Sequence, residues 1–239
     1  MDNIFFIHIP KTAGMTMEDI FYEKGGCVSL CFFHKNKVTP KMLKNKSFQN
    51  SSLWHIPLRY FYKDFQDFVL HNRIIFTIVR NPYDRIISDF KFWIKYYQER
   101  KNKKNLKQKE RNIMANIEQL YNKNYKVSKQ NLNQYIKRVL YQYSKNKSIM
   151  DCHYIPMYEF VFIHKKLITR NILKFEDFNQ NFNHFVTKYK LPIQKNILLD
   201  RKINITSNSL KRNDINEENV KIINKIYAKD FLYFGYERI

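Results

Sequence analysis

The chain has 239 residues, 44% hydrophobic and 16% aromatic, which suits one α/β domain with a sizeable core and excludes a disordered chain. Its formal net charge of +22 favours polyanions such as nucleic acid or anionic glycan, although a Lys-, Asn- and Ile-rich composition accounts for part of it. No run approaches the ~18 apolar residues a membrane helix needs, and no basic leader precedes the first apolar run, so a cytoplasmic protein is expected.

Ile4 to Ile9 is a short apolar run that stops at Pro10, followed by Lys11-Thr12-Ala13-Gly14-Met15-Thr16 and a helix-like segment near 15–24. That pattern predicts a buried strand, a tight loop and a helix N-terminus, where unpaired backbone N–H groups and the helix dipole suit an anion. With only four glycines in the chain, Gly14 points to unusual backbone angles or a close approach. The loop is not a Walker A motif, because Lys11 precedes Gly14 and no second glycine stands nearby.

Further strands are expected at about 28–33, 52–56, 74–79, 160–164 and 171–175, and helices near 60–70 and 83–99. The alternation argues for a parallel sheet with crossover helices. Ile74 to Val79 is the clearest strand, continuous and β-branched, with Arg80 at its C-terminal end and Pro82 opening a helix. Ligands of open parallel sheets bind beyond the carboxyl ends of strands, where both Lys11 and Arg80 fall. Within the helix, Arg85 is expected to pair with Asp84 or Asp89, and Phe92 and Trp93 to pack in the core, with a ligand face as the alternative.

Three cysteines, Cys27, Cys31 and Cys152, suggest no disulfide framework, and with His34 they match no common zinc spacing. Residues 100–148 read as a helical insertion with a basic stretch (Lys101, Lys103, Lys104, Lys107, Lys109, Arg111) that is either a solvated linker or a lid or acceptor-binding strip. Its apolar spacing runs through Leu120, Leu132, Ile136, Val139 and Leu140. Asp177 is placed to cap a helix bearing Phe178, Phe182, Phe185, Val186 and Tyr189. Asp214 and Glu217 have capping-box spacing before a last helix with the stripe Val220, Ile223, Ile226, Tyr227.

Two motifs carry a family resemblance. His8 to Thr16 resembles the 5′-phosphosulfate loop, and Arg80 with Ser88 eight residues on resembles the 3′-phosphate motif, of sulfotransferases using 3′-phosphoadenosine 5′-phosphosulfate. The glycan branch, with heparan and chondroitin sulfotransferases, is the nearer likeness, and Leu173–Phe178 and the closing Ile226–Phe231 with Phe234-Gly235-Tyr236 are similar too. The resemblance implies an α/β fold, a P-loop NTPase-like parallel sheet flanked by helices, in a single domain of residues 1–239 with a helical insertion at about 100–150. It implies a nucleotide donor, a hydroxyl acceptor with carbohydrate favoured over nucleic acid, and no metal. Glycan sulfotransferases of animals usually carry a Golgi anchor, so a Golgi-lumen protein whose anchor was removed is the alternative to a cytoplasmic one.

By the same resemblance Lys11 would stabilise charge on the leaving phosphate, and Thr12, Ala13, Gly14, Met15 and Thr16 would line the 5′ end of the donor. Arg80 and Ser88 would hold the 3′-phosphate, and Lys211 and Arg212 would close over it. An acceptor hydroxyl needs a base, and among seven histidines His55 is the choice, at a proline-ended segment comparable to the base in the glycan enzymes. His153 is the runner-up, and His8 is expected to orient the loop. The competing readings are a kinase-like enzyme with a degenerate phosphate loop and a non-catalytic polyanion-binding protein.

Overall fold

The computed structural model describes residues 4–24, 27–29, 40–71, 73–193 and 210–239. In chain order the elements are β1 (Ile4–Ile7), α1 (Gly14–Lys24), β2 (Cys27–Ser29), α2 (Lys63–Leu70), β3 (Ile74–Val79), α3 (Pro82–Arg100), α4 (Gln108–Tyr121), α5 (Lys129–Lys145), α6 (Tyr158–Val161), β4 (Phe162–Ile163), β5 (Lys166–Leu167), β6 (Asn171–Lys174), α7 (Phe178–Lys188), α8 (Glu217–Ile226) and α9 (Ala228–Phe234). They form two compact units, Met1–Arg80 with Met157–Ile205, and Asn81–Pro156 with Thr206–Ile239.

The first unit holds a four-stranded, wholly parallel sheet in the order β2-β1-β3-β6. From β1 the chain passes to β2 on one side and then to β3 on the other, so the strand order reverses between β1 and β3. The carboxyl ends of those two strands flank the crevice that such a reversal opens. Phe5, Phe6, Phe76, Ile78 and Val79 are buried, which is why both strands read as unbroken apolar runs. Met17, Ile20 and Phe21 of α1 and Phe178, Phe182 and Phe185 of α7 share one core with Phe6 and Phe76. The Phe6–Phe76 and Phe76–Phe185 ring centroids lie 4.9 and 4.5 Å apart. Each fully buried phenylalanine stabilises the unit by about 1.5–3 kcal/mol. Asp177 stands at the N-cap of α7 but makes no side-chain capping bond.

Two expected strands are otherwise. Residues 52–56 form a 3₁₀ turn, Leu53–His55, closed by His55 N–H to Ser52 C=O at 2.9 Å. Leu53 and Ile56 are buried as separate anchors, and Ile56 is extended because proline follows it. Residues 160–164 split between α6 and the two-residue β4, which pairs antiparallel with β5 in a sheet of its own. His164 and Lys165 have φ of 47° and 64°, the left-handed pair that a two-residue hairpin turn requires. Residues 30–33 of the expected second strand, with Cys31 and His34, lie outside the described residues.

The second unit is helical. Asn81 caps α3 by accepting from Tyr83 N–H at 3.0 Å, and Pro82 occupies the first turn, where its missing N–H costs nothing. Leu120, Leu132, Ile136, Val139 and Leu140 are all buried, as their spacing predicts. Phe90 of α3 stacks on Tyr121 at 5.4 Å and Tyr121 packs on Tyr135 at 4.6 Å, joining α3, α4 and α5. The helices expected as an insertion thus share their unit with α3, α8 and α9. The cap of α8 is Asn216, which accepts from Asn219 N–H, while Asp214 belongs to the preceding turn and accepts from Lys211 N–H at 2.8 Å. The expected Asp214–Glu217 box is therefore displaced: two residues further on, Asn216 supplies the cap. No helix among the described residues is long and apolar enough to cross a membrane.

Candidate active site

The loop after β1 is bent by residues other than its glycine. Lys11 and Ala13 have φ of 67° and 72°, left-handed angles of the kind that build anion-binding nests, and the loop runs straight into the N-terminus of α1, where an anion is favoured. Thr12 is fully buried, and its hydroxyl donates to Ile9 C=O at 2.8 Å. That hydroxyl pins the loop to the strand end and leaves Thr12 its backbone N–H to offer a ligand, a narrower part than expected. Met15 is 67% exposed. Thr16 is half-buried in the first turn of α1.

Gly14 answers to a close approach. A Cβ there would fall 2.3 Å from Cδ2 and Nε2 of His8, so the imidazole occupies the place of the missing side chain. His8 Nδ1 lies 2.9 Å from Glu18 Oε1, one turn into α1. The ring of His55 meets that of His8 edge-on, with centroids 5.3 Å apart at 74°. His8 therefore links the loop, the α1 carboxylate and His55.

Arg80, at the end of β3, faces the same loop. Its guanidinium sits over the Phe175 ring at 4.2 Å, and Nη1 reaches Lys11 C=O at 3.4 Å, a long and weak hydrogen bond. Lys11, Arg80, His8 and His55 thus belong to one unit, with Arg80 reaching the Lys11 carbonyl and His55 meeting His8. In the same unit Tyr60 donates to Glu159 at 2.5 Å, and burial together with that carboxylate holds the phenol well above its usual pKa.

The remaining expected residues lie in the helical unit. Ser88 is half-buried on α3. Lys211 is exposed, and the Arg212 guanidinium is engaged by Asp84, with Nε 3.1 Å from both carboxylate oxygens. Arg85 is buried and donates to Ile155 C=O at 3.0 Å and His153 C=O at 2.6 Å. Asp89 is the hub of a buried network, accepting from Trp93 Nε1 at 3.0 Å, Tyr135 OH at 3.3 Å and Tyr154 OH, and meeting His153 Nδ1 at 2.6 Å. Burial, then the Asp89 charge, pushes the Tyr154 phenol far up, and burial does the same for Tyr135. Phe92 packs its ring against His153. The turn delivering His153 is strained, with Met150, Asp151 and Cys152 at φ of 50°, 58° and 68°.

Sequence reasoning missed Glu18, Phe175 and the role of Asp89. Glu18 follows Gly14 by one helical turn, a spacing that would have found it; nothing in the sequence marks the partners of Asp89. No curated protein and no solved structure matches this chain. The family model described as the sulfotransferase family, whose fold is P-loop-like, matches residues 1–237. The match spans both units and nearly every residue, and the chain belongs to the sulfotransferase family.

Proposed function

We propose that the chain, acting as one domain, moves the sulfuryl group of 3′-phosphoadenosine 5′-phosphosulfate to a hydroxyl, with carbohydrate the favoured acceptor. The observation that carries this reading is the meeting of Lys11 and Arg80 at the strand-order reversal of the first unit. The left-handed turns at Lys11 and Ala13 and the α1 N-terminus fit a phosphosulfate, and the arginine fork fits a phosphate. When bound, the donor supplies an activated sulfur–oxygen bond whose cleavage leaves adenosine 3′,5′-bisphosphate.

Lys11 neutralises the charge that grows on the departing phosphate oxygen, and the N–H groups from Thr12 to Thr16 hold the same end. His55 takes the acceptor hydroxyl proton as the oxygen–sulfur bond forms. Glu18 fixes the His8 ring, and His8 presents an edge to His55, which sets the orientation of the base. Arg80 and Ser88 hold the 3′-phosphate, and Lys211 and Arg212 add positive charge, the latter in competition with Asp84. His153 is assigned a supporting place, because its Nδ1 is committed to Asp89 and its ring is buried.

The test pairs calorimetry with adenosine 3′,5′-bisphosphate and transfer of labelled sulfate to a panel of oligosaccharides and small alcohols. Micromolar binding, and turnover lowered by about 100-fold or more in Lys11→Ala, support the reading; no heat of binding sinks it.

A further inference from the structure

The segment that carries His55 is a pair of 3₁₀ turns in succession, Leu53–His55 and Leu58–Tyr60, joined through Ile56 and Pro57. Pro57 is buried with φ of −56°, and its ring removes one degree of freedom from the joint. The second turn is gripped twice. Gln66 of α2, itself buried, donates its carboxamide to Leu58 C=O at 3.0 Å and to Phe61 C=O at 2.8 Å. The Tyr60 hydroxyl donates to Glu159 of α6 at 2.5 Å, and Arg59 Nη1 lies 3.9 Å from the same carboxylate. Glu159 is only 5% exposed, and carboxylates are seldom buried so deeply unless paired. Two residues before it, Met157 Sδ accepts from Arg80 N–H at 3.5 Å. The start of α6 therefore touches both the strand-end arginine and the turn next to His55, all within the first unit.

We propose that Glu159 is a positioning residue for the transfer reaction, setting through Tyr60 the register of the His55 turns against the Arg80 end of β3. The proposal rests on the reading of His55 as base. The two grips fix different things. Gln66 is five and eight residues from the carbonyls it holds, so its bonds preserve the shape of the turn. Glu159 is 99 residues from Tyr60, so its bond fixes where that turn stands in the fold. An apolar pair would fill the space without the desolvation cost of a buried carboxylate; what the charged hydrogen bond adds is direction. A general base must come within about 2.6–3.2 Å of the proton it takes, and a displacement of about 1 Å can lower the rate about 100-fold.

The experiment compares Glu159→Ala, Glu159→Gln, Tyr60→Phe and the double variant Tyr60→Phe/Glu159→Ala in the full chain. Glu159→Ala and Tyr60→Phe should each lower kcat about 10-fold or more, while the Kd of adenosine 3′,5′-bisphosphate stays within about twofold. Glu159→Gln keeps a carbonyl acceptor for the phenol and should recover kcat to within about threefold of the parent. The double variant should be no slower than the slower single, because both changes break one bond. Unchanged kcat, a Kd that rises as kcat falls, or a double variant as slow as the product of the singles overturns the proposal. The imidazole resonances of His55 in ¹³C-histidine-labelled protein, identified by their loss in His55→Ala, give a readout without turnover. They should move in Glu159→Ala, return in Glu159→Gln and stay in place in Glu237→Ala, an exposed control. If the parent binds no adenosine 3′,5′-bisphosphate while the resonances respond in this way, the transfer reading fails and the link from Glu159 to the His55 turn stands. Resonances that do not move in Glu159→Ala refute the link whatever the turnover.

Discussion

The guanidinium of Arg80 lies 4.2 Å from the centroid of the Phe175 ring, so the arginine is braced from beneath before any ligand arrives. A cation over an aromatic face gains about 0.5–2 kcal/mol, and a braced fork loses less rotamer freedom when it takes a phosphate. Phe175→Leu should keep the β6–α7 packing and raise the donor KM about threefold to tenfold with kcat little changed. Arg80→Ala should raise it by about 10- to 100-fold, the worth of a charged hydrogen-bond pair. Initial-rate kinetics over donor concentration separate the two effects, and a fall in kcat alone would contradict the assignment.

Lys11→Ala should lower kcat by about 100- to 1,000-fold, the loss that follows removal of one preorganised donor at a developing charge. Binding of adenosine 3′,5′-bisphosphate should weaken far less. Lys11→Gly would relax the left-handed backbone as well, so the alanine variant is the cleaner measurement.

Gly14→Ala should evict the His8 ring, because the new methyl group would lie 2.3 Å from it. Overpacking of this kind costs about 1–3 kcal/mol, read as a lower melting temperature, with turnover falling as His8 leaves Glu18 and His55. The double variant His8→Ala/Gly14→Ala should melt higher than additivity of the two single changes predicts, since the clash is then absent. Strict additivity would mean that the two positions do not meet.

Asp89→Asn should destabilise the helical unit by about 3–5 kcal/mol, because it strips the charge on which four buried donors converge. Urea titration followed by tryptophan fluorescence reports it directly, as Trp93 donates to that carboxylate.

Stability should fall as pH rises above about 10. Tyr135 and Tyr154 are held protonated in the fold, chiefly by burial, while an unfolded tyrosine ionises near pH 10. Above that pH the unfolded state binds fewer protons than the native one, so the slope of unfolding free energy with pH is negative. Below pH 10 both states are protonated and these tyrosines contribute no slope. Tyrosinate absorbance at 295 nm should therefore show a share that appears together with loss of far-ultraviolet circular dichroism.

The sequence disclosed β1, β3 and α3 closely because each obeys a local rule. The two strands are buried on both faces and carry unbroken apolar runs, and α3 opens on Asn81 and Pro82. It misled at 52–56, where Leu53, Trp54 and Ile56 look strand-like but pair with no strand among the described residues, and the backbone closes its bonds within the turn. In the candidate site, Lys11 and Arg80 were legible as strand-end cations. The brace on Arg80 was not, since Phe175 sits 95 residues away in the chain; nor, in the helical unit, was the meeting of Asp89 with His153 across 64. Such pairs are made by the fold, and no periodicity records them.

Met150, Asp151 and Cys152 adopt left-handed angles in succession without a single glycine among them. Side chains there work against their own backbone, at roughly 1 kcal/mol apiece. Since Asp151 also holds Lys109 at 3.0 Å, the corner is a tensioned clasp between the approach to His153 and the first turn of α4. A glycine at Met150 would relieve about 1 kcal/mol of that strain but empty a buried site, at a cost of about 2–5 kcal/mol, so packing is what keeps the clasp wound.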